Sequence, residues 1–86
     1  MKKSIVVVKD TAARVFGTPF IVQAVAQAVR SLRDEVNSKE ATSDLARHPD
    51  DFELYEIGSF DEDTGVITPA PEPIIVCRAK DLREAL

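Results

Sequence analysis

The stretch His48-Pro49-Asp50-Asp51-Phe52-Glu53-Leu54-Tyr55-Glu56-Ile57-Gly58-Ser59-Phe60-Asp61-Glu62-Asp63-Thr64-Gly65-Val66-Ile67 reads as a turn, a strand, a charged loop and a returning strand. Pro49 pre-sets φ for the second position of the turn. Phe52 to Phe60 has strand composition, but its alternation is imperfect. Leu54 and Tyr55 are adjacent, and Gly58 interrupts the run. A bulge near Gly58 reconciles the two phases. Neighbours on a strand face opposite ways, so either Leu54 or Tyr55 is partly exposed or sits at an interface. Asp61 to Gly65 is the hairpin loop, with Gly65 supplying the positive φ where the chain re-enters the ladder.

The chain on either side supplies partners for this hairpin. Ile5 to Val8 is a continuous aliphatic run of strand length, which suits a central strand buried on both faces. Ala12 to Phe20 contains Gly17 and Pro19, which break regularity, while Phe16 and Phe20 call for burial. It reads as an ordered loop pinned by two aromatic anchors, or as a short extended edge strand. Gln23 to Ser38 is the clearest helix. Val22, Val25, Val29, Leu32 and Val36 recur at spacings of three and four and form one apolar stripe. The same stripe covers two heptads, too few for a coiled coil, so it is assigned to a core. Asn37 to Arg47 is a polar connection with one helical turn around Thr42 to Ala46. Thr68 to Pro73 holds three prolines and reads as a rigid linker. Pro73 to Cys77 is a short strand, and Lys80 to Leu86 a terminal helix.

The expected architecture is therefore a single α+β domain over residues 1–86. A mostly antiparallel sheet, with strands near 5–9, 52–60, 65–68 and 74–78, packs against one main helix through Val25, Val29, Leu32 and Val36. A core of this size is thin, and a homodimer is the expected way to bury more surface. The start, MKKSIVVVKD, has the two lysines of a signal peptide. Its apolar run ends after Val8 with no small-residue cleavage site, so it reads as a strand. No run is long enough for a membrane helix.

Charge is unevenly spread. Residues 1–47 carry eight Lys or Arg against five Asp or Glu, and residues 48–72 carry eight acids and no Lys or Arg, within a net charge of −4. An acidic chain binds nucleic acid poorly unless cations gather locally. Lys2, Lys3, Lys9, Arg14, Arg30 and Arg33 are the residues that could gather, with the acidic loop Asp61-Glu62-Asp63 pointing elsewhere. Aromatics beside such cations would suit stacking on unpaired bases. In a small domain without tryptophan, Phe16, Phe20, Phe52, Tyr55 and Phe60 read first as core.

Catalytic patterns are lacking. Asp61, Asp63 and Glu72 fall at the first, third and twelfth places of a calcium loop. The glycine that such a loop requires is replaced by Val66, and the loop would hold two prolines. His48 has carboxylates nearby but no placed nucleophile, and it reads as part of the turn. Cys77 cannot form an internal disulfide and reads as a buried structural thiol. The chain is expected to be no enzyme and to need no cofactor or metal.

An ordered set of words remains: Asp10, Val15-Phe16-Gly17-Thr18-Pro19-Phe20, Ala28-Val29-Arg30, Asp34-Glu35-Val36-Asn37, His48 to Tyr55, Gly58, Phe60-Asp61 and Thr64-Gly65. This set resembles the small nonstructural protein of gokushovirus-type microviruses, phages with circular single-stranded DNA, from about Val8 to Cys77. The sequence departs from that family at Ile21-Val22-Gln23-Ala24-Val25, where family members place polar, cap-like residues. An earlier helix start near Thr18-Pro19 is the implied alternative. The resemblance implies a DNA-binding accessory in the host cytoplasm that assists single-stranded genome synthesis and packaging. Its partners would be single-stranded DNA or the phage replication protein. It brings no catalytic residues. The other class of function is a homodimeric protein-contact module using Tyr55, Asp61, Glu62 and Asp63 toward a host or capsid component.

Overall fold

The computed structural model describes residues 1–84. The order of elements is β1 (Lys2–Asp10), β2 (Val15–Phe16), β3 (Phe20–Val22), α1 (Val25–Asn37), α2 (Asp44–Arg47), a 3-10 turn (Pro49–Asp51), β4 (Phe52–Asp61), β5 (Val66–Arg78) and a second 3-10 turn (Ala79–Leu82). All strand pairs are antiparallel, with β1 and β4 central, β5 on one edge, and β2 and β3 both on the other edge of β1. This is the expected α+β fold: a curled antiparallel sheet with one main helix.

The aliphatic run Ile5 to Val8 lies in the central strand, as its composition required. Val6 is fully buried under the helix side, in a cluster with Val22, Ala28, Leu32, Val36, Leu54, Ala79 and Leu82. Val25 and Val29 pack at the margin of this cluster, and Ala28 takes a central place. The helix stripe is thus shifted toward Ala28.

The helix does not start at Thr18-Pro19. Phe20 to Val22 are extended and paired with Val6, Ile5 and Ser4, so helical geometry cannot begin before them. The cap is Ala24, without a side-chain hydrogen bond, while Gln27 Oε1 accepts the N–H of Gln23 at 2.9 Å. The FGTPF segment is the edge-strand alternative. Lys9 pairs Phe16 and Val6 pairs Phe20, so the returning strand carries one extra residue across Gly17-Thr18-Pro19. Proline belongs at such an edge irregularity, because it has no N–H to offer the ladder.

The bulge expected near Gly58 is present. Ile5 pairs Gly58 and Val6 pairs Glu56, which leaves Ile57 unmatched. On the other side of β4, Gly58 pairs Pro69 and Glu56 pairs Ile74, so Ala70 to Pro73 swing out opposite Ile57. The proline segment is therefore part of β5 and not a linker. Its fixed φ is compatible with extended backbone, and an edge strand tolerates the missing donors. A Cβ at Gly58 would lie 2.6 Å from the Thr68 carbonyl oxygen and 3.1 Å from Pro69 Cα. Gly65 has φ +75° in the hairpin, as expected.

The terminal segment is a single 3-10 turn, Ala79–Leu82, and the end of the helix expected to Leu86 lies outside the described residues. Asn37 fastens this segment: its Nδ2 donates to the Leu82 carbonyl, and its Oδ1 accepts the Glu84 N–H. The chain is long and thin, 44 × 24 × 18 Å, with a radius of gyration of 13.5 Å. A compact chain of this length would have about 12 Å.

Two consequences for stability follow from the packing. Leu32→Asp places an unpaired charge in the core and is expected to cost roughly 3 kcal/mol or more, whereas Val29→Asp at the margin costs less. Urea unfolding of the two variants orders them. Gly58→Ala is expected to cost about 1 to 3 kcal/mol, because the methyl group collides with β5 backbone that cannot swing away; an unchanged midpoint would contradict the close approach.

Candidate functional site

Alternation along β1 sorts the sheet into two faces. Val6 and Val8 turn toward the helices. Lys3, Ile5, Val7 and Lys9 turn the other way. Register extends this second face across the sheet. Lys9 lies beside Phe16 and Glu53, Val7 beside Tyr55, Tyr55 beside Ile75, Ile5 beside Ile21, Lys3 beside Phe60, and Phe60 beside Ile67. The described helices gather on the Val6 side. On the open side Ile67 is 61% exposed, Ile21 49%, Phe16 45% and Ile75 45%. Ile5 and Val7, in the middle strand, are buried. Of the five aromatics read as core, only Phe52 packs against the buried cluster. Phe16 and Phe20 are exposed because their strands, β2 and β3, lie at the sheet edge, and Tyr55 and Phe60 are half-buried on the open face. The Leu54–Tyr55 pair resolves as the chemistry demands: Leu54 is fully buried and Tyr55 faces out.

One end of the open face carries aromatic and charged groups together. The Phe16 and Tyr55 rings meet edge to face, 5.4 Å between centroids at 70°. Lys9 Nζ stands 5.2 Å from the Phe16 centroid, in cation–π range. The Tyr55 hydroxyl donates to Glu53 Oε1 at 2.8 Å, and Arg78 Nε donates to Glu53 Oε2 at 3.3 Å. The hydrogen bond to Glu53 raises the Tyr55 pKa, helped by desolvation and by the Glu53 charge, with Arg78 opposing.

The other end is acidic and already paired. Lys3 Nζ lies 3.2 Å from Glu62 Oε2, and the amine of Met1 pairs with Asp63 and lies 3.7 Å from Asp61. The Asp63 N–H donates to Asp61 Oδ1 and holds the Asp61 carboxyl below its usual range; desolvation opposes this, and the Met1 ammonium, the Thr64 N–H and Lys2 add to it.

The six cations named from sequence are therefore not one face. Lys2 and Lys3 stand at the acidic hairpin, which does not point away from them, because Lys2 pairs in register with Asp61. Lys9 is at the opposite end of β1, and Arg14 sits in the turn after it with φ 60°. Arg30 and Arg33 are exposed on α1, in the other layer. The alternative protein-contact set is also divided, with Tyr55 at the aromatic end and Asp61, Glu62 and Asp63 at the far tip. Glu53, Ile21, Ile75 and Arg78 complete the open face and were missed by sequence reasoning. Ile75 and Arg78 share this face only because Val76 is unmatched between them, a shift that leaves no periodic signal.

Other candidates take ordinary roles. His48 is exposed; its N–H donates to the Asp44 carbonyl and its carbonyl accepts from Asp51, so its backbone joins the two turns. Cys77 is half-buried on the core side, and burial raises its pKa, which makes it a poor nucleophile. Among the described residues no group of His, Cys, Asp or Glu is arranged to hold a metal ion. A shallow depression of about 260 Å³ lies where β5 swings out, lined by Glu56, Gly58, Ser59, Thr68, Pro69 and Ala70.

A family model described as "Phage ORF5 protein" matches residues 3–82. The chain belongs to this family. It is thus a protein of a small phage family, and the match covers all the strands but the first residue of β1, together with the main helix. No curated protein and no solved structure matches the chain. None of the described helices is long and apolar enough to cross a membrane.

The single tyrosine makes the Glu53 contact measurable. A folded-state pKa raised above its unfolded value favours the neutral phenol. Its contribution is complete below about pH 10, the unfolded value, and is lost as pH rises through the folded one. Absorbance titration at the phenolate band should show late ionisation in the native protein and earlier ionisation in Glu53→Gln. Coincident curves would remove the Tyr55–Glu53 bond from the folded state in solution.

Proposed function

We propose that this phage protein is a non-enzymatic binding accessory of single-stranded DNA genome replication or packaging. We further propose that it works in the host cytoplasm of a microvirus infection, and that the aromatic end of its open sheet face is the DNA contact. The observation that carries the reading is the Phe16–Tyr55 pair with Lys9 over Phe16 and with Arg78 on Glu53, the residue that accepts the Tyr55 hydroxyl. An exposed ring such as Phe16 beside cations suits unpaired bases and their phosphates, and stacking is tolerant of base identity. The contact would be modest. Arg78 is shared with Glu53, the acidic hairpin lies at the far end, and only Lys9 and Arg14 of the six cations named from sequence stand at this end.

Titration of a single-stranded oligonucleotide at two salt concentrations tests the proposal. Phe16→Ala should weaken binding by about 1 to 3 kcal/mol, the range for one stacked base. Lys9→Ala should weaken it and lower the log–log salt slope by about 0.7. Replacing Arg30 and Arg33 together, a change the charge pattern alone would select, should now have little effect, because α1 lies in the other layer. Binding that depends on the arginine pair and ignores Phe16 would place the DNA on the helix side and overturn this assignment.

A further inference from the structure

We propose that the depression where β5 swings out from β4 is a protein-contact site that receives an arginine side chain of a partner protein. Its lining comes from Glu56, Gly58 and Ser59 of β4 and Thr68, Pro69 and Ala70 of β5, with no helix residue among them. Register places it on the face opposite the Phe16–Tyr55 pair. Glu56 lies beside Val6, Ser59 beside Ser4 and Thr68 beside Ser59, whereas Tyr55 lies beside Val7. Its origin is the unequal ladder, in which Ile57 alone stands opposite Ala70 to Pro73. The lining selects the occupant. The half-buried Glu56 carboxylate is in no ion pair among the described residues, whereas Glu53, Asp61, Glu62 and Asp63 each have a cation beside them. The hydroxyls that form hydrogen bonds among the described residues belong to Thr11, Ser43, Tyr55 and Thr64, which leaves those of Ser59 and Thr68 free to accept. The volume, about 260 Å³, lies below the ~300 to 1,000 Å³ of small-molecule sites, and the carboxylate repels phosphate, so a nucleotide does not suit it. A divalent ion takes about six or more oxygens, and among the described residues no metal-holding group of His, Cys, Asp or Glu forms. A single cationic side chain remains. Arginine suits the site better than lysine, because its planar fork of N–H donors can meet the carboxylate and both hydroxyls at once, while Pro69 and Ala70 offer its stem apolar surface. The surrounding field agrees, since residues 48–72 hold eight acids and no Lys or Arg.

The site stands whether or not DNA binds, because the two contacts lie on opposite faces. Amide NMR shifts of the full chain, followed at constant ionic strength, test it with Nα-acetyl-arginine methylamide as the probe. The probe should shift Glu56, Gly58, Ser59 and Thr68 saturably, with a Kd roughly in the millimolar range for so small a ligand, and leave Phe16 and Lys9 unmoved. The neutral citrulline derivative of the same shape should give no saturable shift, and the lysine derivative should bind more weakly. Glu56→Gln keeps the size of the side chain and should weaken binding at least about tenfold. Thermal unfolding checks that this variant folds, and Ser59→Ala, which should weaken binding severalfold, serves as the second variant. No saturable shift below about 100 mM probe, equal binding of the citrulline derivative, or indifference to both substitutions would overturn the proposal. A lysine derivative that binds as well would overturn the choice of arginine. Free arginine bound more tightly than the capped probe would make the ligand a metabolite and overturn the assignment to a partner protein.

Discussion

The rest of the structure follows from one imbalance: the central strand is apolar on both faces, and the chain has helix enough for one. Val6 and Val8 are met by α1 and the Ala79–Leu82 turn, with Leu32, Val36 and Leu82 closing over them. Ile5 and Val7 lie on the opposite side, outside that cluster, and are buried as well. A small domain cannot stack layers on both sides of a sheet. The second face is not kept wholly polar: Ile21, Ile67 and Ile75 are exposed on it, beside Lys3, Lys9, Glu53 and Arg78.

Register decides which residues share that face, and two irregularities set it. Ile57 is unmatched in the pairing of β1 with β4, and Ala70 to Pro73 swing out beside it. Gly58 permits both by letting the β5 backbone approach to a distance no Cβ allows. A one-residue slip exchanges the two faces of a strand. Without the bulge, the half of β4 beyond Gly58 would turn Phe60 toward the helix layer and Ser59 outward. The fold thus depends on a glycine in mid-strand that propensity alone would count as a defect.

This explains what was legible in the sequence. The main helix, the hairpin, the Gly65 turn, the bulge near Gly58 and the central place of Ile5 to Val8 each rest on a local rule, and the structure shows all of them. The errors lie where pairing overrides composition. Three prolines in six residues look like a linker, yet β5 runs through them because an edge strand needs few donors on its outer side. Phe16 and Phe20 look like core anchors, yet they occupy the outermost strand. The earlier helix start fails because Phe20 to Val22 are claimed by β1. The candidate site was least legible for the same reason: Phe16, Tyr55, Ile75 and Arg78 are distant in sequence, and only the shifted register brings them into one patch.

Charge illustrates the limit of composition most directly. A net −4 argues against nucleic acid when spread evenly, and a basic half argues for it when collected on one side. Neither describes this molecule. At the hairpin tip Lys3 is engaged by Glu62, and the Met1 amine by Asp61 and Asp63, so cations and acids cancel within one end of the sheet. The field at the opposite end is then set by few groups: Lys9 over a ring, Arg14 in the turn, and Arg78 shared between Glu53 and solvent. The acids at the hairpin tip are matched by the cations beside them, and the aromatic end holds few charges of either sign.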